Sequence, residues 1–200
     1  MLHTKSIVLA GVGGQGILLA SEICAQAASF AGFDVKTNEV HGMAQRGGSV
    51  VAQIRYGAQV HSPLVSRGEA EVLMSMERIE ALRYAEFLKP DGLAVVNSQV
   101  IVPVTVSSGT AVYPENAEER LRAAFSHLIY FDANQIAVQL GSPRSANVVL
   151  LGALATALTD ISGQFWLDAI RRCVKPAYVD INLQAFRLGQ NMKNNAVVTE

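Results

Sequence analysis

The N-terminal segment joins an apolar run, a glycine-rich turn and a helical pattern, and this order restricts the possible folds more than any other feature of the chain. Residues 6–10 predict a strand buried on both faces, and Gly11-Val-Gly-Gly-Gln-Gly16 follows directly. Residues 17–31 predict a helix, which Gly32 ends, and residues 33–39 predict a second strand. Together these would form a right-handed βαβ unit with parallel strands. We therefore predict the α/β class, with a Rossmann-like, mostly parallel sheet and helices on both faces.

The remainder of the chain continues the alternation of strands and helices. The period-two pattern of residues 49–56 predicts a half-exposed strand, and the turn residues Gly57-Ala58 predict a hairpin whose second arm is residues 59–62. Some antiparallel strands are therefore expected. Further strands are predicted at residues 70–75, 93–97 and 128–131, and helices at 77–88, 114–125, 134–140, 147–158 and 176–189. Residues 1–190 are predicted to form one domain, followed by a frayed polar tail at 191–200.

Composition excludes several classes of function. The chain has 200 residues, half of them hydrophobic, and a formal charge of −1 without a basic run, so nucleic acid is not an expected partner. Cys24 and Cys173 show no CxxC or Cys/His spacing, so no metal or iron–sulfur site is expected on this chain alone. No apolar run approaches the roughly 20 residues of a membrane span, and no signal-peptide pattern is present. A cytoplasmic location and no membrane partner are expected.

The glycine loop, residues 11–16, has the sequence and setting of an anion site. Between a parallel strand and a helix, the pattern Gly11-x-Gly13-x-x-Gly16 lets a phosphate approach backbone N–H groups at the positive end of the helix. Binding of a dinucleotide also requires an acid about 20 residues on, and neither Asp34 nor Glu39 fits that place well. Tight packing of strand against helix is the alternative explanation for these glycines.

Residues 39–48, Glu-Val-His-Gly-Met-Ala-Gln-Arg-Gly-Gly, carry the densest chemistry of the chain. An acid, an imidazole, an amide and a guanidinium lie among three glycines, on a loop that follows a parallel strand, where open α/β sheets bind ligands. Three interpretations remain open at this point. The segment is a ligand-binding loop in which Arg46 pairs an anion, a surface loop closed by a Glu39–Arg46 salt bridge, or an interface loop.

Both motifs resemble the gamma subunit of 2-oxoacid:ferredoxin oxidoreductases. The resemblance rests on Gly11-Val-Gly-Gly-Gln-Gly-Ile-Leu-Leu-Ala20 and on Glu39-Val-His-Gly-Met-Ala-Gln-Arg-Gly-Gly48, and it continues through residues 88–92, 147–152 and 182–186. The His-Gly-Met-Ala-Gln-Arg form is most similar to the small subunit of the indolepyruvate branch. Pyruvate-type gamma subunits usually carry Tyr-Gly-Pro-Glu-Met-Arg-Gly-Gly there.

The resemblance implies participation in the oxidative decarboxylation of a 2-oxo acid within a complex. Thiamine diphosphate and [4Fe-4S] clusters would be held by large (alpha) and beta-type partner subunits, coenzyme A would be the cosubstrate, and ferredoxin would take the electrons. Within such a complex Glu39, His41 and Arg46 are the candidate catalytic residues. The candidate cofactor-binding residues are Gly11, Gly13, Gly14, Gln15, Gly16, Gln45, Gly47 and Gly48. A free-standing NAD(P)-dependent oxidoreductase and a non-catalytic assembly module are the alternatives.

Overall fold

A seven-stranded mixed sheet forms the centre of the computed structural model, which describes residues 4–42, 48–102, 113–114, 116–192 and 197–198. The strands are β1 (Lys5–Val12), β2 (Asp34–His41), β3 (Ser49–Gly57), β4 (Ala70–Ser75), β5 (Leu88–Asn97), β6 (His127–Phe131) and β7 (Val197–Val198). Their order is β2-β3-β1-β4-β5-β6-β7. Neighbouring strands among β1, β4, β5 and β6 are parallel, whereas β3 is antiparallel to both of its neighbours and β7 is antiparallel to β6.

Helices cover both faces of the sheet, as the sequence predicts. They are α1 (Ile17–Phe30), α2 (Arg78–Arg83), α3 (Ala117–Ala124), α4 (Ala133–Gln139), α5 (Ala146–Ala155), α6 (Gly163–Cys173) and α7 (Val179–Asn191). Side chains of α1 and α4 to α7 join one face of the sheet in the larger core, and side chains of α2 and α3 join the other face in a smaller core. All ten residues of α5 are buried, so this helix lies inside the larger core. None of the helices in the described ranges is long and apolar enough to cross a lipid bilayer.

The two strands of the βαβ unit have the parallel direction that the sequence predicts, and a third strand lies between them. β2 points the same way as β1, but β3 is inserted between them and is antiparallel to both. The predicted hairpin arm at residues 59–62 is wrong, because those residues form no strand. The physical reason is visible in two buried valines. Val60 donates its N–H to the Asp34 carboxylate (2.8 Å), and Val65 donates its N–H to the Gln53 side chain (3.0 Å). Side-chain oxygens therefore accept these backbone N–H groups in place of a neighbouring strand.

Several element boundaries differ from the sequence prediction. β3 is buried on both faces, since Ile54 belongs to the larger core and Val51 to the smaller one. The helix predicted at residues 77–88 stops at Arg83, and β5 already starts at Leu88. α6 was not predicted. In the tail that was expected to fray, α7 extends to residue 191 and residues 197–198 pair with β6.

The parallel strands direct their carboxyl ends to one edge of the sheet, hereafter the carboxyl edge. The loops that follow β1, β4, β5 and β6 meet there, and β2 ends at the same edge because it points the same way. In open α/β sheets, ligands bind outside this edge. The glycine loop lies there because it follows β1, and the second motif begins there because residues 39–41 form the end of β2.

Candidate functional site

The glycine loop is an open backbone turn at the start of α1. Gly14 (φ +96°) and Gly16 (φ +80°) both occupy the left-handed region, where glycine is the residue that fits without strain. A Cβ added at Gly14 would meet no atom within 4 Å, so the loop faces open space at this residue. A cleft of about 370 Å³ lies against the loop and the first turn of α1, with His41 and Val50 on its other side.

Backbone N–H groups give this cleft its polar character. α1 starts at Ile17, and the residue before it, Gly16, has no side chain that could cap the helix. The N–H groups of Ile17, Leu18 and Leu19 therefore have no acceptor within the helix, and all three residues line the cleft. Unpaired N–H groups at the positive end of a helix attract anions. The residues present fit a phosphate, diphosphate or carboxylate group.

Gln15 holds the loop in place from inside. Its Oε1 accepts the N–H of Val12 (2.7 Å), and its Nε2 donates to the carbonyl oxygen of Met76 (3.0 Å) and to Oε1 of Gln99 (2.9 Å). These bonds connect the loops after β1, β4 and β5. Both amide protons of Gln15 are used within the protein, so this side chain fixes the shape of the loop rather than offering a donor to a ligand.

A second amide fixes the neighbouring loops of the carboxyl edge. Asn97, fully buried at the end of β5, donates from Nδ2 to the Met76 carbonyl (3.2 Å) and to Oδ1 of Asn134 (2.7 Å). Its Oδ1 accepts the N–H of Ala133 at the start of α4 (3.0 Å). Gln15 and Asn97 both donate to the Met76 carbonyl, and Asn97 also bonds to residues at the start of α4. These hydrogen bonds connect the loops after β1, β4, β5 and β6.

The two sequence motifs meet in the structure. The N–H of Gly13 donates to the carbonyl oxygen of Gly48 (2.9 Å), which connects the glycine loop to the end of the residue 39–48 segment. Glu39 and His41 are exposed on β2 opposite Ala52 and Val50, respectively. Directly opposite residues in an antiparallel pair share a face, so both side chains lie on the face that α1 covers. The structure therefore brings His41 to the cleft beside the glycine loop, with Glu39 two residues along the same strand.

Gly11 and Gly16 are required by close packing. A Cβ on Gly11, which lies within β1, would be 2.8 Å from Oε1 of Gln15 and 3.0 Å from Cβ of Met76. A Cβ on Gly16 would be 2.6 Å from Nδ2 of Asn147, which donates to the Gly16 carbonyl (3.0 Å) from the start of α5. The packing explanation that the sequence left open thus applies to Gly11, whereas Gly14 faces the cleft.

A buried carboxyl group contacts Ser49, the residue that follows Gly48. Glu80 on α2 is 6% exposed and accepts a hydrogen bond from the Ser49 hydroxyl (2.5 Å), which also contacts the Tyr84 hydroxyl (3.1 Å). Burial raises the pKa of Glu80, while the Ser49 hydrogen bond and the charge of Arg83 act in the opposite direction. Ser49 directly follows Gly48, so α2 anchors the end of the segment that touches the glycine loop.

Glu77 and Tyr113 add polar groups beside the start of α2. The buried Glu77 carboxylate caps the helix by accepting the N–H groups of Ile79 (2.6 Å) and Glu80 (3.0 Å). It also accepts a hydrogen bond from the Tyr113 hydroxyl (2.7 Å), whose oxygen accepts from Nε of Arg78 (3.0 Å). Burial is the main cause that raises the pKa of Tyr113 to about 12. The network fixes the chain after β4.

Three of the candidate residues, Gln45, Arg46 and Gly47, lie outside the described residues, and so does the Glu39–Arg46 pair. Within the described ranges, no three His, Cys, Asp or Glu side chains come together in a group that could hold a metal ion. The cysteine side chains are both free thiols. Cys24 is buried, and burial raises the pKa of both thiols.

Sequence reasoning missed residues that shape the site from distant parts of the chain. Gln99 and Asn97 follow the apolar run of β5, and their position at the end of a predicted parallel strand was the available signal. Asn147 was noted only as part of the family resemblance. Its contact with Gly16 spans 131 residues, and no local pattern indicates a contact over that distance.

The comparison with protein families gives one match that covers nearly the whole chain. Residues 6–192 match the family described as pyruvate ferredoxin/flavodoxin oxidoreductase.

Close relatives are subunits of one kind of enzyme. The chain is 44% identical over 188 residues to the indolepyruvate oxidoreductase subunit IorB of Pyrococcus horikoshii, covering 92% of this chain and 93% of that protein. It is likewise 44% identical over 189 residues to the subunit IorB of Archaeoglobus fulgidus, covering 93% and 94%. Among solved structures, the gamma subunit of a keto/oxoacid ferredoxin oxidoreductase from Geobacter sulfurreducens has the same fold. Its TM-score is 0.72 at 24% identity, with 96% of this chain and 99% of that chain covered.

Proposed function

This chain belongs to the pyruvate ferredoxin/flavodoxin oxidoreductase family, and on that premise we propose that it is the small, gamma-type subunit of an indolepyruvate:ferredoxin oxidoreductase. One observation carries the proposal. The identity of 44% to two IorB subunits extends over more than nine-tenths of both proteins in each comparison. The match at lower identity, 28% to the 2-oxoglutarate synthase subunit KorC of Methanothermobacter thermautotrophicus, is to another 2-oxo acid enzyme.

In this proposal, the chain works with large (alpha) and beta-type partner subunits. When bound to those partners, thiamine diphosphate would supply the decarboxylation chemistry and [4Fe-4S] clusters would carry electrons to ferredoxin, with coenzyme A as cosubstrate. The cysteine pattern supports cofactors on the partners, because the two thiols lie far apart in the sequence. The rarity of cysteine likewise supports a cytoplasmic location.

The carboxyl edge is the surface that would face the partner's active site. Three exposed apolar side chains lie along this edge, and of these Leu18 lines the cleft. Leu18 on the first turn of α1 is 45% exposed, Val40 near the end of β2 is 52% exposed, and Val100 beyond β5 is 41% exposed. We propose that a partner subunit covers them and closes the cleft.

Two groups of candidate residues have a defined task in this arrangement, the glycine-loop backbone and the polar side chains of His41 and Arg46. The backbone N–H groups of Gly14, Gly16 and α1 would hold an anionic group of the diphosphate or of coenzyme A. His41 would supply a hydrogen bond or a proton at the open side of the cleft, and Arg46 would pair with an anion.

The NAD(P) alternative lacks support in the geometry. A ribose-binding acid belongs at the carboxyl end of the strand adjacent to β1. That neighbour is β3, which runs antiparallel to β1, and on β2 the acid Asp34 lies at the opposite end of the sheet from the glycine loop. Asp34 is also engaged by Lys36 (2.8 Å) and by the Val60 N–H.

The first test is reconstitution. The chain is co-expressed with its large subunit, and coenzyme A-dependent reduction of ferredoxin or a viologen dye is measured with indolepyruvate, pyruvate and 2-oxoglutarate offered separately. We expect activity only when both chains are present, with indolepyruvate preferred. Equal activity of the large subunit alone would identify the chain as an assembly module, and a preference for another 2-oxo acid would refute the substrate assignment.

The second test concerns the site. We expect His41→Ala and Arg46→Ala to reduce turnover of the complex at least tenfold while leaving its assembly intact, because the first removes an imidazole that lines the cleft and the second removes the guanidinium proposed to pair with an anion. Arg171→Ala is the matched control, since this arginine is exposed on α6 and pairs with Asp168 (2.8 Å). Intact assembly with unchanged turnover in both site variants would contradict the assignment.

A further inference from the structure

A larger cleft, hereafter the α5–α7 cleft, lies on the other side of the first turn of α1. It has a volume of about 630 Å³ and is formed by Leu19, residues 141–145 and residues around the end of α6 and the start of α7. Its polar lining consists of Ser142, Arg144, Ser145, Lys175, Tyr178 and Asn182. This volume lies in the range typical of small-molecule sites. Leu19 also lines the glycine-loop cleft, so the two clefts are neighbours.

Positive charge dominates the α5–α7 cleft. Arg144 and Lys175 line it, no Asp or Glu is among its described lining residues, and neither cation takes part in an ion pair within the described part of the chain. Glu22 acts electrostatically on the half-buried Cys173, and Asp180 lies in the first turn of α7, so two acids lie near the cleft without lining it. α5 and α7 both begin at the cleft, at Ala146 and Val179; the positive end of α5 adds to the field, whereas Asp180 offsets that of α7.

Buried polar groups face the α5–α7 cleft with hydrogen-bonding capacity to spare. Asn182 is 6% exposed and uses one proton of Nδ2 to donate to the Tyr178 carbonyl (2.8 Å). Its other proton and its Oδ1 have no partner among the described residues. Ser145 is 2% exposed and shares a single hydrogen bond with the Ser142 hydroxyl (2.8 Å), so one of the two hydroxyl protons remains available. Burying unused donors costs free energy unless a ligand or water satisfies them.

The other lining residues of the α5–α7 cleft provide an aromatic and apolar surface against which a flat ring could pack. The Tyr178 side chain lines the cleft and is 55% exposed, although large aromatic side chains usually bury most of their area. Leu19 and the buried Val174 supply apolar surface beside it. The cleft therefore pairs an anion-binding side with an aromatic and apolar side.

We propose that the α5–α7 cleft binds a nucleotide, with its phosphate held by Arg144, Lys175 and the spare donors of Asn182 and Ser145, and its base against Tyr178. Two cations and the positive end of α5 match a phosphate dianion better than a single carboxylate. The proposal is independent of the function proposed above, because it uses none of the residues assigned to the glycine-loop cleft except its neighbour Leu19.

The test uses the complex of this chain with its large subunit and AMP as the probe. Binding of AMP, adenosine and inorganic phosphate is measured by titration calorimetry at constant ionic strength. We expect AMP to bind at micromolar concentrations, inorganic phosphate more weakly, and adenosine at least tenfold more weakly than AMP. Binding of adenosine as tight as that of AMP, or no binding of AMP at millimolar concentration, would overturn the proposal.

Variants place the binding in the cleft. Arg144→Gln and Lys175→Gln should each weaken AMP binding about tenfold or more, because each removes a charge-assisted hydrogen bond. Tyr178→Leu should weaken the binding of AMP and leave that of phosphate unchanged. Arg172→Gln is the matched control, since this exposed cation on the same end of α6 does not line the cleft. Equal affinities in the cleft variants and the control would overturn the proposal.

A competition experiment identifies the source of the nucleotide. Displacement of AMP by coenzyme A at equal concentration would assign the cleft to the nucleotide end of that cosubstrate. Retention of AMP under the same conditions would assign it to a free nucleotide. Both results require that AMP binding be weakened about tenfold or more in the Arg144→Gln variant. AMP binding that instead falls in a Gly14→Ala variant and survives in Arg144→Gln would place the nucleotide in the glycine-loop cleft and refute the proposal.

Discussion

Replacing Gly152 by alanine should destabilise the protein strongly, because α5 and α7 cross in contact at two glycines. A Cβ on Gly152 would lie 2.0 Å from the carbonyl oxygen of Phe186, and one on Gly189 would lie 1.8 Å from that of Val149. An ordinary carbon–oxygen contact is about 3.3 Å, so the helices would have to separate by about 1.3 Å. The atom in the way is backbone, which cannot rotate aside.

The expected magnitude follows from two opposing effects. Separating a fully buried helix such as α5 from its neighbour forfeits a large part of the dispersion contacts between them, and overpacking of this kind costs up to about 3 kcal/mol or more. Alanine in a helix gains about 1 kcal/mol over glycine. We expect the Gly152→Ala variant to lose at least about 2 kcal/mol of its free energy of unfolding, which lowers Tm by about 4–8 °C in a chain of this size.

Urea unfolding followed by far-ultraviolet circular dichroism measures the change, with Gly163→Ala as the matched control. Gly163 is the first residue of α6, and a Cβ there would meet no atom within 4 Å. This control should be neutral or gain up to about 1 kcal/mol. The two substitutions are chemically identical and are expected to differ in sign. A Gly152→Ala variant as stable as the control would show that the helices do not touch there and would refute the reasoning.

Three further substitutions test the carboxyl edge and the core. Gln15→Ala should speed hydrogen exchange of the Val12 amide and cost about 2 kcal/mol, because it removes the acceptor of that buried N–H and two more bonds; unchanged exchange at Val12 would contradict the role given to Gln15. The pKa of Glu80 is raised above its ordinary value of 4.5 in the folded protein. The protonated carboxyl group therefore contributes to the free energy of unfolding below pH 4.5, and this contribution is lost as the pH rises through the raised pKa. Glu80→Gln should therefore gain free energy of unfolding relative to the wild type on going from pH 4.5 to neutral pH, and a difference that is constant over this range would be evidence against the shift. Tyr56→Phe should cost about 1 kcal/mol in urea unfolding, because the buried hydroxyl donates to Asp160 (3.1 Å); an Asp160→Ala background, which removes the acceptor, in which the cost is unchanged would contradict this cause.

Local pattern predicted most elements because each depends on neighbouring residues. The strand predicted at residues 70–75 has the observed bounds of β4, and the strand, glycine loop and helix at the N-terminus are observed in that order. Pairing between strands depends on residues far apart in sequence, which explains the error at β3. Its insertion between β1 and β2 buries both of its faces, a requirement that the period-two pattern did not show.

The candidate site could be predicted in part for the same reason. The glycine loop was found from its own residues, and His41 does lie at the cleft beside it. The side chains that hold the loop in place were not found, because Gln99 and Asn147 reach it across 84 and 131 residues. Gln15 was expected to face a ligand, whereas its amide is engaged inside the fold.

How the amides are used indicates what this chain contributes to catalysis. Gln15, Asn97 and Asn147 direct their protons to the protein's own carbonyl and amide oxygens, so they rigidify the carboxyl edge. Among the described residues that line the cleft, the groups left open are backbone N–H donors and His41. Fixed N–H donors stabilise an anion without reorganising, but they cannot activate a 2-oxo acid by themselves. If the glycine loop binds an anion as proposed, its fixed N–H donors would still depend on chemistry from a neighbouring subunit, which agrees with activity that exists only in the complex.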